Sequence, residues 1–113
     1  MRYLLDTHTF LWWATDGLAL PETVRAIVAD TANDIFFSAV SAWEIAIKAR
    51  LGRTGFQEEA IQRIPEQITA NGLLILSVEI QHALRVAALP LLHRDPFDRL
   101  LIAQAQLEDL AVN

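Results

Sequence analysis

Four short apolar runs constrain the fold of this chain more than any other feature. They read RYLL (2–5), IFFS (35–38), LLILSV (73–78) and LAVN (110–113). Runs that are apolar on successive residues, rather than on alternate ones, are typical of strands that are buried on both faces. Longer segments with helical periodicity separate the runs, as in βαβ units. The sequence therefore predicts an α/β fold built on a parallel sheet.

The helical segments are bounded by recognisable start and stop signals. Pro21 and Pro96 can each occupy the first turn of a helix, Gly52 can end one, and Pro90 must stop another. Pro65 falls inside a helical pattern and is expected to kink or split it. We expect helices at 9–14, 21–29, 41–52, 58–70 and 79–89, and from 96 onward.

Composition narrows the class of protein further. With 113 residues, 53% of them apolar and 20% charged, the chain is expected to form one globular domain over 1–113. It has no cysteine, which excludes disulfides, zinc–thiolate sites and thiol nucleophiles. Asp6 and His8 interrupt the apolar N-terminus, and no stretch approaches the roughly 18 apolar residues of a membrane span. We expect a soluble, cytoplasmic protein with no membrane partner.

Three acidic residues fall at equivalent places in this pattern. Asp6 ends the first strand, Glu44 lies in the helix after the second, and Asp98 lies in the last helix. Because the carboxyl ends of parallel strands meet at one edge of a sheet, we expect these three carboxylates to converge. Clustered carboxylates repel one another unless a cation joins them, and oxygen ligands favour a hard ion. The sequence therefore predicts a site for Mg²⁺ or Mn²⁺, which would suit phosphodiester hydrolysis.

Helix capping is the alternative explanation of the same acids. Asp95 before Pro96 has the pattern of an N-cap, which places Asp98 at N3, near the positive end of the helix dipole. Ser41 and Glu44 match a capping box. Asp6 is harder to explain in this way, because it follows an apolar strand with no visible turn residue or basic neighbour.

Five further residues are candidates for contact with a phosphate or with the attacking water. Thr7 or Thr9 could orient a water or a phosphate oxygen, although a threonine after a strand is equally often an N-cap. Lys48 lies four residues beyond Glu44 and is either an ordinary helix ion pair or a phosphate contact. Arg94 and Arg99 flank the acidic motif and would either contact a phosphate of a nucleic acid or balance the charge of the motif. The net charge of −5 argues against binding nucleic acid by bulk electrostatics alone.

The histidines and tryptophans have simpler interpretations. His8, His82 and His93 show no metal-ligand spacing, so hydrogen-bonded structural or surface roles are favoured over zinc ligation. The three tryptophans are expected in the core or at an interface rather than as base-stacking platforms. Trp12 and Trp13 are adjacent in a helix and cannot both face one core.

The motifs YLLDTHTFLWW, SAVSAWEIAIKARLG and LPLLHRDPFDRLLIAQAQLEDL resemble, in order, those of PIN-domain proteins, specifically the VapC-type ribonuclease toxins of toxin–antitoxin pairs. This resemblance implies a three-layer sandwich with a central, mostly parallel sheet of four to five strands. It also implies an endoribonuclease dependent on Mg²⁺ or Mn²⁺, with RNA as substrate. A cognate VapB-type antitoxin would neutralise it, and the protein would form a homodimer.

Carried over by position, the family's acids correspond to Asp6, Glu44 and Asp98. Asp98 is preferred to Asp95 because the family's acid is followed seven residues later by alanine, here Ala105. Asp95 is then the N-cap, with a secondary place beside the metal. The family usually has a final strand and a fourth acid in a segment that would begin where this sequence stops, so we expect a PIN domain without them.

That difference keeps a second hypothesis open, a PIN-like module that binds RNA or protein without cutting. A phosphoacceptor of the receiver type is disfavoured, because the chain lacks adjacent acids at the first strand end and a conspicuous lysine near the last.

Overall fold

The computed structural model describes residues 1–14, 21–53, 58–90 and 95–113. The strands are β1 (Arg2–Leu4), β2 (Asp34–Ser38), β3 (Leu74–Leu76) and β4 (Ala111–Val112). The helices are α1 (Thr7–Ala14), α2 (Glu22–Ala29), α3 (Ala39–Arg50), α4 (Glu58–Ala70), α5 (Ile80–Arg85) and α6 (Pro96–Glu108). A 3₁₀ helix over Val86–Ala88 extends α5.

The four strands form one parallel sheet in the order β3-β2-β1-β4. Leu4 of β1 lies opposite Phe36 of β2, and Ser38 at the end of β2 lies opposite Leu76 of β3. The predicted parallel α/β fold is confirmed, and the carboxyl ends of all four strands lie along one edge.

Apolar residues of β1 and β2 alternate between two buried clusters, one on each face of the sheet. Leu5 and Phe37 belong to the first cluster, with side chains from α1, α3 and α4. Leu4 belongs to the second, with Val40 and with Leu101 of α6. Because successive residues of a strand face opposite sides, this division places helices on both faces and confirms the three-layer arrangement.

Two helices begin earlier than the sequence predicts. α1 begins at Thr7, two residues before its expected start. α3 begins at Ala39 instead of Ser41, because the Ser38 hydroxyl accepts a hydrogen bond from the Val40 N–H at 3.0 Å and so forms the N-cap. The chain therefore turns from each strand into its helix with almost no loop.

Pro65 and Pro90 agree only in part with what the sequence predicts for them. Pro65 lies inside α4 without splitting it, since the helix is assigned without a break over Glu58–Ala70. Pro90 does stop its helix, but the last turn before it, Val86–Ala88, has tightened from α to 3₁₀.

The tryptophans divide between core and surface. Trp13 packs against the first cluster, with its ring 6.0 Å from that of Phe10. Trp12 and Trp43 are 40% and 55% exposed, so a core position is wrong for both. The divergence of Trp12 and Trp13 is as predicted, since adjacent helix positions point about 100° apart.

A buried polar link joins α6 to the ends of two strands. Gln104 is fully buried; its Oε1 accepts a hydrogen bond from the Ser38 hydroxyl at 2.5 Å, and its Nε2 donates to the Ser77 carbonyl at 3.2 Å. Satisfied hydrogen bonds in the interior fix one arrangement of the elements that they join. The link therefore fixes α6 relative to the edge of the sheet at which the acids lie.

Within the described ranges, no helix is long and apolar enough to cross a bilayer.

Candidate acidic site for a cation

Asp6 lies where β1 passes into α1. Its Oδ1 accepts a hydrogen bond from the Thr9 N–H at 3.0 Å, so Asp6 is the N-cap of α1. Its own N–H donates to the Asn113 carbonyl at 2.8 Å, just beyond β4. Capping therefore applies to Asp6 as well, although the sequence disfavoured it there because α1 was expected to begin only at Thr9. The cap fixes the carboxylate at the carboxyl edge of the sheet.

Glu44 lies in the second turn of α3 and is only 1% exposed. The capping-box interpretation is wrong, because Ser38 is the N-cap and Ser41 therefore occupies N3. Oε2 of Glu44 lies 2.6 Å from Nζ of Lys48. Oε1 is buried and has no hydrogen-bond partner among the residues that the structure describes. A buried carboxylate oxygen without a partner lowers the stability of the fold. A ligand bound to Oε1 would offset this loss.

Asp95 and Asp98 occupy different positions at the start of α6, as predicted: Asp95 is the N-cap, and Asp98 lies within the first turn. Oδ1 of Asp95 accepts hydrogen bonds from the N–H groups of Phe97 at 2.8 Å and of Asp98 at 3.3 Å, which makes Asp95 the N-cap. Asp98 is the third residue of the helix, and its side chain lies largely at the surface.

The pKa of the Asp98 carboxyl depends on the charges of the neighbouring acids. Partial burial raises the pKa of its carboxyl, and the nearby charges of Asp95, Glu44 and Asp6 raise it further, while His8 lowers it. A carboxylate is harder to ionise beside others because like charges repel. The four acids therefore share one local field at the carboxyl edge of the sheet.

The acids match a hard divalent cation in ligand type and in charge. Carboxylate oxygens are the ligands of Mg²⁺ and Mn²⁺, and Oε1 of Glu44 is buried without a partner. Among the residues that the structure describes, however, no three acidic or histidine side chains already form a group that could hold an ion. The acids thus influence one another electrostatically, but in the described part of the chain they do not form a closed set of ligands.

The candidate substrate contacts are largely engaged within the fold. Thr7 is buried, and its hydroxyl donates to Oγ of Ser41 at 2.9 Å, which joins α1 to α3. Thr9 is also buried. The guanidinium of Arg99 donates to main-chain carbonyls within and just after the 3₁₀ segment, including those of Val86 and Pro90. These geometries support structural roles, and contact with substrate stays a prediction for Thr7 and Arg99.

The remaining candidates are quickly placed. Lys48 forms the helix ion pair that was one of its two predicted roles. Arg94 and His93 lie outside the described residues. His82 is buried away from the acids, where its Nδ1 accepts from the Glu79 N–H at 2.9 Å.

One contact beside the acids was not predicted. The rings of Trp43 and Phe97 meet edge to face, with centroids 5.0 Å apart. Trp43 precedes Glu44 and Phe97 precedes Asp98, so the pair joins α3 to α6 next to the carboxylates. Each of these aromatic residues directly precedes an acid in the sequence, and this shared position was the available signal. A local pattern cannot show that two helices far apart in the sequence meet in the fold.

Comparison with known proteins places the chain among characterised folds. A model of the PIN domain family matches residues 3–112. Ribonuclease VapC16 of Mycobacterium tuberculosis is 45% identical over 64 residues, which cover 57% of this chain and 45% of that protein. The match therefore spans less than half the length of this curated relative.

A solved structure extends the likeness to the whole fold. The structure is that of VapBC2 from Rickettsia felis bound to a DNA fragment from its promoter. It matches with a TM-score of 0.68 and covers 99% of this chain and 85% of that one, at 15% identity. At this identity the likeness concerns the fold alone.

The two aspartates of α6 should respond differently to substitution. Asp95→Ala removes the acceptor of two helix N–H groups and should lower the free energy of unfolding by about 0.5–2 kcal/mol. Urea unfolding of the metal-free protein measures this loss.

Asp98→Asn is the contrasting variant. Because its surroundings raise the pKa of Asp98, the wild type loses stability as pH rises through the range in which this carboxyl ionises. The asparagine variant lacks that loss, so its stability relative to wild type should increase from about pH 4 upward and then level off. An advantage that shrinks as pH rises would contradict the shared field of the acids.

Proposed function

This chain belongs to the PIN-domain family, and we propose that it is an endoribonuclease that hydrolyses RNA phosphodiester bonds with Mg²⁺ or Mn²⁺. The relative with 45% identity over its matched segment is named as a ribonuclease. Four carboxylates in one field at the carboxyl edge of a parallel sheet suit this chemistry.

One observation carries the proposal, the state of Glu44. The fold buries this carboxylate, pairs one oxygen with Lys48 and leaves the other without a hydrogen bond. Capping does not explain Glu44, because another residue caps its helix. A cation on Oε1 would satisfy the unpaired oxygen, and it would relieve the repulsion that adds to partial burial in raising the pKa of Asp98.

In this mechanism Asp6, Glu44 and Asp98 would hold the cation, and Asp95 would have a secondary place beside it. The cation would supply activation of a water and stabilisation of negative charge on the scissile phosphate. The chain contributes rigidity, because the Thr9 N–H fixes one oxygen of Asp6, and burial in α3 fixes Glu44. Asp95 holds the first turn of α6 and thereby the position of Asp98.

The acidic site also accounts for how a chain of net charge −5 would bind a polyanion. Bulk electrostatics oppose such binding, so affinity for RNA must come from local groups and from the cation. We propose Lys48, Arg94, Arg99 and Thr7 as contacts; Lys48, Arg99 and Thr7 also make contacts within the fold.

Cleavage of RNA by the purified protein tests the proposal. Activity should require Mg²⁺ or Mn²⁺, should be lost in EDTA, and should fall by about a hundredfold or more in Asp6→Asn, Glu44→Gln and Asp98→Asn. Asp109→Asn is the matched control: Asp109 is an exposed acid at the far end of α6, in a left-handed conformation that asparagine tolerates. It should cleave as the wild type does, and mapping of the cut ends would identify the RNA substrate.

A non-catalytic module that binds RNA or protein is the second candidate. The observation in its favour is that no three acidic or histidine side chains in the described ranges already form a group that could hold an ion. Intact RNA with both metals, at protein concentrations that bind it, would favour this second function.

We further propose that a VapB-type antitoxin neutralises the protein and that two copies of the protein form a homodimer. The protein and its antitoxin would both act in the cytoplasm, where the RNA substrate lies. The structural neighbour is the VapBC2 pair of Rickettsia felis. Exposed apolar side chains, among them Trp12, Ile80 and Leu84, offer surface for partners.

Growth of cells that express the protein tests the partner. Expression alone should slow growth, and co-expression with the adjacent gene should restore it and yield a stable complex. Because a basic side chain of the partner would satisfy the same carboxylates as the metal, Mn²⁺ should weaken the complex. If the affinity of the complex changed neither with Mn²⁺ nor with the Asp6→Asn substitution, the partner would inhibit the protein at a site other than these carboxylates.

A further inference from the structure

Lys48 and Glu44 form an ion pair that is deeper than most pairs of this spacing. The two residues are one helical turn apart on α3, and Nζ lies 2.6 Å from Oε2. The side chain of Glu44 is 2% exposed and that of Lys48 is 21% exposed. An exposed pair of this spacing contributes little, whereas removing one partner of a buried pair leaves a buried charge uncompensated.

A second contact keeps the ammonium group at the site. Nζ of Lys48 lies 5.9 Å from the centre of the Phe97 ring, within range of a cation–π interaction. Phe97 stands between the two aspartates of α6 in the chain. Lys48 is therefore attracted from both sides, by the carboxylate of α3 and by the aromatic ring of α6.

The pair engages only one side of the carboxylate. Oε2 faces Lys48, whereas Oε1 is buried and, within the described ranges, accepts no hydrogen bond. A single carboxylate thus presents one oxygen to a permanent cation and leaves the other for an exchangeable one.

We propose that Lys48 is a built-in counter-ion that weakens and thereby tunes the affinity of the acidic site for its divalent cation. This inference rests on the proposed function. Lys48 neutralises part of the acidic field when the metal is absent, and it repels the metal when the two share Glu44. The site would consequently exchange its cation readily, and the protein would remain folded without it.

Two effects of Lys48 on metal binding oppose each other, and their sizes decide the outcome. Lys48 orients Glu44, which favours binding, but the burial of Glu44 within α3 already restricts that side chain. Its charge repels a divalent ion bound to the same carboxylate, and this repulsion is strong where water is largely excluded. The charge should therefore dominate, and removing it should tighten metal binding.

Titration calorimetry with Mn²⁺ alone tests the proposal through three substitutions. Lys48→Met removes charge and donor, Lys48→Gln removes the charge but keeps a donor for Oε2, and Lys48→Arg keeps both. We expect the methionine and glutamine variants to bind Mn²⁺ about tenfold or more tightly than the wild type, and the arginine variant to resemble it. Arg50→Gln is the control, because it removes the same charge from an exposed position on the same helix.

Thermal unfolding supplies a second readout, independent of activity. In EDTA, Lys48→Met should unfold at a lower temperature than the wild type, because Glu44 loses its counter-ion. Mn²⁺ should raise its unfolding temperature by more than it raises that of the wild type, since a tighter ligand stabilises more.

The outcomes separate this inference from the function on which it rests. If the wild type binds Mn²⁺ but the methionine and glutamine variants bind it equally or more weakly, the counter-ion role is wrong and the metal site stands. If only Lys48→Met binds more weakly, Lys48 acts by orienting Glu44, and the inference is likewise overturned. If neither the wild type nor any of the variants binds Mn²⁺, the proposed function itself is wrong.

Discussion

The parallel pairing of β1 with β2 determines where every other functional group of this chain lies. These two strands are neighbours in the sheet and run in the same direction, so both deliver the chain to the same edge. Asp6 follows β1 after one intervening residue, and α3, which carries Glu44, begins directly after the last residue of β2. The pairing of β4 with β1 and the Gln104 link add α6, which brings Asp98 to the same place. An antiparallel arrangement of the same segments would have separated these acids.

Stability and the proposed function depend on the same few residues at this edge. Asp6 and Asp95 cap α1 and α6, and these caps fix the directions of the helices beside the acidic field. Glu44 does the opposite, since its burial with one oxygen unpaired costs stability. Proteins accept such costs chiefly where function needs them, and the neighbouring caps and the Lys48 pair keep the cost local.

The sequence predicted the elements whose signals are local. Apolar runs indicated the strands, and Asp95 with Pro96 indicated the start of α6. The convergence of the three acids on one cation stays a prediction, because among the described residues no three of them already form a group that could hold an ion. It did not predict that Ser38 rather than Ser41 caps α3. Ser38 ends an apolar run and so was assigned to the strand alone, whereas Ser41 with Glu44 matched a common pattern.

Contacts between distant segments were beyond local reasoning for the same physical reason. The Thr7–Ser41 hydrogen bond and the Trp43–Phe97 contact each depend on how two helices cross, and the crossing follows from the packing of the whole core. Trp43 also shows that composition is a weak guide to burial: an aromatic residue lies at the surface, beside a glutamate that lies inside.

The central claim is that the acidic edge is a cation site, and a crystal structure grown with Mn²⁺ tests it most directly. Diffraction data collected at the manganese absorption edge locate the ion independently of any assumption about its ligands. We expect an anomalous peak bounded by Asp6, Glu44 and Asp98, with Oε1 of Glu44 among the ligands and Oε2 still directed at Lys48. A peak at another part of the surface, or none at the acidic edge at saturating Mn²⁺, would contradict the account.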